Sequence, residues 1–385
     1  MSNPPHVVAL IVAAGSGSRA GGDRPKQFAP LAGRAMLLHA YDAFVRHPAI
    51  ADVLVVVAEA DRAHAVALLG EGATIVGGGA TRRESVECGL AAVAATEATR
   101  ILVHDAARPI IPSVVIDRVI AALTTHDGAV PVLPAADTMA HGDVLLGDIV
   151  PRVGIVRVQT PQGFRVDRLA AAHAAWPGTE EATDDAQMVR RLGGTVALVQ
   201  GDAMLDKVTY PEDFAAAEAR LPRETRMATG FDVHRLEAGE ALWLGGVLIP
   251  HDKGLSGHSD ADVALHALTD ALLGTIAAGD IGTHFPPSDP QWKGADSARF
   301  LRHAAALIVD KGGRIDFVDL TIMCEAPKIG PHRAAMVARI ADLLALSPDR
   351  VSVKATTTER LGFTGRGEGI ATQAAATVSL PSRPR

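Results

Sequence analysis

Between residue 6 and about residue 200 the sequence keeps returning to short β-branched runs, "VVALIVAA", "VLVVVA", "ATIVGG", "ILVHDA", "GAVPVLP" and "TVALVQ". Amphipathic helical stretches such as "AMLLHAYDAFVRH", "RRESVECGLAAVAA" and "SVVIDRVIAALTTH" separate them. No other feature restricts the fold as much. Strands that alternate with helices are joined by right-handed crossovers, and strands covered on both faces read as continuous apolar runs. A mainly parallel α/β sheet is expected. The interval 136–160, "ADTMAHGDVLLGDIVPRVGIVRVQT", breaks the rhythm with a period of two and intervening turn residues, which predicts a hairpin arm leaving the sheet.

A different pattern begins near "EARLPRETRMATGFDVH", where Pro222 and neighbouring charges end a helix and a strand starts around Ala228. A linker is expected at about 221–227, with one domain over 1–222 and another over 226–385. The second half reads as strands, a long helix in "SDADVALHALTDALLGTIA", a Pro-rich loop, then helix, strand, helix and two strands, an α+β arrangement. With 385 residues and 48% hydrophobic content the chain has material for two cores. Its net charge of −7 argues against a nucleic-acid or anionic-membrane surface, so any phosphate site has to be a local gathering of cations. Cys88 and Cys324 stand far apart in apolar contexts and read as buried free thiols in a reducing cytoplasm. "HVVALIVAAG" has no preceding Lys or Arg and runs into a Gly-rich loop, so it reads as a strand rather than a signal peptide, and no apolar run is long enough to span a membrane.

That loop, "AAGSGSRAGGDRPKQ", contains G-x-G-x-x-A, but Gly21, Gly22 and Pro25 break any following helix and no acidic residue stands where a ribose would need it. No Lys-Ser or Lys-Thr follows, which excludes the usual phosphate loop of nucleoside triphosphatases. Backbone N–H groups with Arg19 and Lys26 suit a triphosphate better than a hydride carrier. "ILVHDAARP" puts Asp105 and Arg108 just after a strand, where a carboxylate can hold Mg²⁺ against phosphate oxygens. In "GGGATRRESV" Arg82 and Ser85 fall at a helix start, and "LDKVTYPEDF" offers Lys207 near a strand end.

These pieces, in order with "ADTM" and "VQTPQGF", resemble the 2-C-methyl-D-erythritol 4-phosphate cytidylyltransferases over nearly all of residues 5–220. The resemblance implies a Rossmann-like nucleotidyltransferase domain with a β-arm. It implies that Arg19 and Lys26 stabilise the α-phosphate of CTP, that Asp105 carries Mg²⁺, and that Ala13, Ala14, Gly15, Gly17, Gly79 and Ser85 bind the nucleotide. Arg152 and Lys207 match positions that place the methylerythritol phosphate, with Thr138 nearby.

In the second half, "GFDVH" sets Asp232 and His234 on one face of a strand, and the four-residue spacing of Asp262, His266 and Asp270 sets those three on one face of a helix. One carboxylate and two imidazoles would leave a zinc ion with an open position. Residues 227–380 resemble 2-C-methyl-D-erythritol 2,4-cyclodiphosphate synthase through "GFDVH", "KGLSGHSDADVALHALTDALLG", "GDIGTHFPPSDP", "KGADS", "EAPKIGPH" and "VKATTTERLGFTGRGEGI". This implies a cyclodiphosphate-synthase-like α+β domain with Zn²⁺ or another divalent metal on Asp232, His234 and His266, leaving Asp262 and Asp270 as supporting acids. His258 and Thr357 match residues that stabilise the transition state, while Ser259 and Asp280, Ile281 and Gly282 bind the methylerythritol part. Glu359 helps hold Mg²⁺ at the diphosphate, and Ala326, Lys328, Thr356, Thr358, Phe363 and Arg366 contact the cytidine diphosphate. Pro287 stands where this family often carries an acid, although Asp289 is retained.

Together the two resemblances imply a bifunctional enzyme of non-mevalonate isoprenoid synthesis with small-molecule substrates, CTP and methylerythritol phosphates. They imply homo-oligomers, trimeric through the second half and dimeric through the arm, and the missing intermediate step suggests association with a separate pathway kinase. The alternative is another sugar-phosphate nucleotidyltransferase joined to a domain that binds metal only for assembly.

Overall fold

The first strand, Val7–Ala13, is covered on both faces, and its residues divide strictly by parity. Val7, Ala9, Ile11 and Ala13 join one apolar cluster with Val53, Val55 and Val57, whereas Val8 and Leu10 join another with Leu54 and Val56. This is the alternation of a pleated strand with no wet face. The computed structural model describes residues 6–15, 25–177, 180, 182, 184–286, 288–292 and 294–382. The chain forms two compact units, residues 1–221 and 222–385.

In the first unit the strand order is Val156–Val158, Gly128–Pro134, Gln162–Arg165, Arg100–Asp105, Val7–Ala13, Asp52–Val57 and Thr74–Gly77, with Val196–Gln200 also paired to Gly128–Pro134. Helices Met36–Val45 and Ser113–Ala122 cover one face. Arg82–Val93, Val166–Ala175 and Asp185–Arg191 cover the other. The expectation of a mainly parallel sheet holds for six of its eight strands, and two short strands depart from it. Gln162–Arg165 inserts antiparallel between Arg100–Asp105 and Gly128–Pro134, and Val156–Val158 also runs antiparallel. The reason is Phe164, which is fully buried and seats this short strand in the core. The free hairpin is correspondingly shorter than 136–160: Met139–Gly142 pairs only with Leu146–Val150, and Leu145, Leu146 and Ile149 are exposed on it.

The second unit holds a five-stranded sheet in the order Lys253–Ser256, Arg223–Ala238, Gly369–Pro381, Arg314–Met323 and Val351–Thr356, with only the last pair parallel. Helices Val263–Thr275, Ala298–Asp310 and Arg333–Leu344 bury one face of it. The linker expected at 221–227 is not there. The strand begins at Arg223, because Arg223 to Met227 already pair with Pro381 to Thr377, so the charges read as a linker are an exposed strand segment. No helix among the described residues is long and apolar enough to cross a membrane. Cys324 is buried and Cys88 only half-buried, and both are free thiols.

Gly230 is where the long strand and the helix Val263–Thr275 meet. A Cβ there would strike the Ala267 carbonyl and lie 2.7 Å from the Ala271 nitrogen, both backbone groups that cannot swing aside. Gly230→Ala is therefore expected to destabilise the second unit by about 1–3 kcal/mol. Hydrogen exchange at rising denaturant should show faster exchange over 222–385 and unchanged exchange over 6–177; equal protection in variant and wild type would refute the contact.

Candidate active sites

Two parallel strands, Val7–Ala13 and Arg100–Asp105, end side by side, with Val12 opposite Asp105. Beyond them lies a cavity of about 320 Å³ lined by Ala13, Ala14, Gly15, Lys26, Gly79, Ser85, Asp105 and Lys207. Gln27, buried, holds the start of the loop by donating to the carbonyls of Ala13 at 2.7 Å and Gly15 at 3.1 Å. The Lys26 ammonium donates to the Val208 carbonyl at 2.8 Å. The helix Arg82–Val93 opens on the same cavity through a reciprocal cap: Thr81 Oγ1 accepts from the Glu84 nitrogen, and Glu84 Oε2 accepts from the nitrogens of Ala80 and Thr81. Ser85 is buried there and donates to the Thr81 carbonyl at 2.9 Å. Gly17 and Arg19 lie outside the described residues.

Asp105 is the electrostatic centre of this site. Lys207 Nζ donates to Oδ2 at 2.8 Å and Arg82 Nε to Oδ1 at 3.3 Å. Burial pushes the Asp105 carboxyl up, but the Arg82 and Lys207 charges outweigh it and hold the group well below the usual carboxylate range. Arg82 is itself fixed from behind: its Nη1 donates to Asp185 Oδ2 at 2.8 Å, and His173 Nε2 lies 3.0 Å from Asp185 Oδ1. The sequence reading noted Arg82 only as a helix-start cation and missed Asp185 and Gln27. Gln27 stood beside Lys26 in the quoted loop, whereas nothing local marks Asp185. Thr138 and Arg152 are exposed near the hairpin and do not line this cavity; Arg152 donates to the Ala136 carbonyl.

In the second unit Asp232 and His234 project from the strand Arg223–Ala238 towards His266 of the helix Val263–Thr275. His266 Nδ1 is 3.0 Å from Asp232 Oδ2, His234 Nε2 is 3.1 Å from the same oxygen, and the two imidazole nitrogens are 3.1 Å apart. Among the described residues these form the one group of three or more His, Cys, Asp or Glu whose ligand atoms lie close enough together to hold a metal ion. The donor set fits one. His234 Nδ1 lies 2.9 Å from the Ser256 carbonyl, which can only accept, so Nε2 keeps its lone pair for a ligand. Burial pushes the Asp232 carboxyl up, and the two imidazoles beside it outweigh this to hold it below the usual range.

Asp262 does not share the face of His266 as the spacing suggested. It is the fully buried N-cap of the helix, accepting from the nitrogens of Ala264 and Leu265 and from Gly245 and Gly246. Asp270 accepts from the Ile281 nitrogen at 2.7 Å and so ties the segment Asp280–Gly282 to the metal-bearing helix. His258, Ser259, Asp270 and Ile281 line a cavity of about 210 Å³ with the three metal donors, floored by Phe285 and Phe300. Asp280 caps the short turn Ile281–His284, and Gly282 lies within it. Pro287 lies outside the described residues.

The other predicted residues gather elsewhere. Thr357 donates to Glu359 Oε1 at 2.9 Å, and Glu325, unforeseen, accepts from the nitrogens of Thr358 and Arg360 and so clamps the loop after Thr356. Glu359 and Arg360 hold φ of 53° and 64°, left-handed values that non-glycine residues adopt at a cost. Arg366 pairs with Glu368, and Phe363 stands in the turn Gly362–Gly365. Ala326 and Lys328 follow Glu325, and none of these residues lines the Asp232 cavity. The register explains why: Thr356 is opposite Met323, Met323 opposite Ala371, and Ala371 opposite Val233. Three strand spacings, about 14 Å, separate this loop from the metal donors.

A nucleotide-sized cavity around an ionised carboxylate, and a separate three-donor metal cluster, define a two-centre enzyme of phosphate chemistry. Residues 7–223 match the family described as 2-C-methyl-D-erythritol 4-phosphate cytidylyltransferase, and residues 225–379 match the YgbB family. A "Bifunctional enzyme IspD/IspF" of Rhizorhabdus wittichii is 62% identical, covering 99% of this chain and 100% of that protein. One of Erythrobacter litoralis is 54% identical over 99% and 98%. A solved structure, "Structure of the Bifunctional IspDF from Campylobacter jejuni", is 31% identical over 97% and 98%, with a TM-score of 0.49. The chain belongs to the bifunctional IspD/IspF family. It is an enzyme that joins a cytidylyltransferase to a 2,4-cyclodiphosphate synthase and acts on small-molecule substrates.

One buried group gives the first site a pH dependence. His104 Nε2 lies 2.9 Å from the Arg108 carbonyl and Nδ1 lies 3.1 Å from Thr160 Oγ1, which in turn accepts from the Asp105 nitrogen. Burial pushes the His104 imidazole down to about 4. It stays neutral in the fold and takes up its proton on unfolding, so its contribution is complete above the ordinary value of about 6.5 and is lost as pH falls from there towards 4. The expected loss is about 2 kcal/mol between pH 7.5 and pH 5. Urea unfolding of the first unit at both pH values should show it, with a smaller difference in His104→Gln; identical losses in variant and wild type would assign the effect to other groups.

Proposed function

We propose that the two reactions divide between the two sites as follows. In the first, an oxygen of the 4-phosphate of 2-C-methyl-D-erythritol 4-phosphate attacks the α-phosphorus of CTP and diphosphate leaves. In the second, the 2-phosphate of 4-diphosphocytidyl-2-C-methyl-D-erythritol 2-phosphate attacks the β-phosphorus and CMP leaves, closing the 2,4-cyclodiphosphate. The observation that carries this reading is the pairing of an ionised Asp105 between Arg82 and Lys207 with a cavity that also receives Lys26.

Lys26 and Arg19 neutralise charge that builds on the α-phosphate, and no protein nucleophile is needed. Ala13, Ala14, Gly15, Gly17, Gly79 and Ser85 hold the nucleotide through backbone groups and the helix start. Lys207 and Arg152, with Thr138, place the methylerythritol phosphate, the last two from the arm of a neighbouring subunit. In the second site Asp232, His234 and His266 hold Zn²⁺, while Asp105 in the first and Glu359 in the second hold Mg²⁺. When bound, these ions supply positive charge against phosphate oxygens. His258 and Thr357 orient the attacking and leaving groups, Ser259 and Asp280–Gly282 grip the methylerythritol, and Ala326, Lys328, Thr356, Thr358, Phe363 and Arg366 bind the cytidine diphosphate.

The separation of the Thr357 loop from Asp232 by three strands supports a site shared between subunits, hence a trimer through the second unit, and the exposed Leu145, Leu146 and Ile149 of the hairpin support a dimer through it. Association with the kinase that acts between the two steps would return its product to this chain, and a cytoplasmic location follows from the same reading. Lys26→Ala is expected to lower cytidylyl transfer by on the order of 10²-fold or more while cyclisation persists. His266→Ala should do the reverse and release the metal. The measurements are diphosphate release from CTP, CMP release from the cyclisation substrate, and metal content. Parallel loss of both activities in either variant would overturn the division.

A further inference from the structure

The metal cluster has a back as well as a mouth. Ser297, immediately before the helix Ala298–Asp310, is fully buried, with its Oγ 2.8 Å from His266 Nε2. The same oxygen bonds Asp260 Oδ1, and the Ser297 nitrogen donates to Asp260 Oδ2 at 3.1 Å. A carboxylate only accepts, so the Ser297 hydroxyl proton is committed to Asp260 and the hydroxyl oxygen is left to accept from His266. When a metal takes the lone pair of Nδ1, the atom that faces Asp232 and His234, the His266 proton stands on Nε2 and donates to Ser297.

A second hydroxyl competes for the same nitrogen. Ser259 Oγ lies 3.1 Å from His266 Nε2 and accepts from the Ala261 nitrogen at 3.1 Å. Unlike Ser297, Ser259 lines the open cavity, and among the described residues no carboxylate takes its proton. The two serines therefore have different capacities: the hydroxyl of one is polarised and locked, and that of the other can turn towards whatever enters the cavity.

We propose that Ser297, held by Asp260, is the positioning residue that fixes the tautomer and orientation of His266 for metal binding, and that Ser259 has no part in that task. The proposal rests on the reading of Asp232, His234 and His266 as a metal site. It assigns two motif residues, in "SDAD" and "KGADS", to the metal rather than to the substrate.

The test is Zn²⁺ affinity of the full chain, measured by chelator competition, for wild type, Ser297→Ala, Asp260→Asn, Ser259→Ala and His266→Ala. Ser297→Ala is expected to bind Zn²⁺ 10–100-fold more weakly. Asp260→Asn should weaken it in the same direction, and Ser259→Ala should stay within about twofold of wild type. Nitrogen NMR of the His266 ring in the Zn²⁺-loaded chain gives a readout that general loosening of the fold would not mimic: an Nε2 proton protected from solvent exchange in wild type and Ser259→Ala, and a fast-exchanging one in Ser297→Ala. The far-ultraviolet spectrum of the metal-free variants and hydrogen exchange over 222–385 report that the second unit is folded. Wild type binding Zn²⁺ with Ser297→Ala equally tight would overturn the positioning role alone, as would weakening confined to Ser259→Ala. Wild type no tighter than His266→Ala would overturn the metal site itself and the proposal with it.

Discussion

A carboxylate taken out of water is stable only when other groups replace what the water supplied, and both sites of this chain are arranged around that constraint. Asp105 sits between Arg82 and Lys207, Asp185 between Arg82 and His173, and Asp232 against two imidazoles. Asp262 takes four backbone N–H groups, and Asp260 takes a hydroxyl and two backbone N–H groups. In each case the compensation also aims something. Arg82 cannot leave Asp105 without also leaving the buried Asp185 to His173 alone. The helix that carries His266 cannot shift without stripping Asp262. The electrostatic need to satisfy the acids is what makes the geometry of the sites stiff.

Much of this was legible because period and burial coincide. Strands with two covered faces read as apolar runs, and the six runs picked out between residues 6 and 200 are all strands of the main sheet. The misread parts have definite causes. Gln162–Arg165 is too short to show a period, and its insertion between two strands depends on one phenylalanine finding the core. Arg223–Met227 looked like a linker because its charges are exposed, yet exposure is normal for a strand whose side chains face water while its backbone pairs with the far end of the chain. Asp262 and His266 have helical spacing, but a residue at the N-cap has left the helical backbone and its side chain folds back on the first turn, so spacing no longer gives direction. Arg82, Asp185, Ser297 and Glu325 act through partners distant in sequence, and no local pattern announces such a partner.

The residues of the second site fall into two groups, the metal donors on and beside the strand Arg223–Ala238 and the Thr357 loop three strands away. A cyclisation needs both phosphates of one small substrate held together, and a span of about 14 Å within a single chain does not do that. The exposed apolar residues of the same long strand, Met227, Phe231 and Val233, give a surface with reason to be covered. An assembly that buries this face and brings the loop of one subunit to the metal of another would answer both observations at once, which ties the trimer we propose to the mechanism.

The two units share no core residue: every buried residue of the second cluster lies at or beyond Leu236, and those of the first unit's clusters lie at or before Ala217. Each half therefore supplies its own folding free energy from its own apolar surface. The two reactions are not consecutive, since the product of the first still lacks the 2-phosphate that the second uses as its nucleophile.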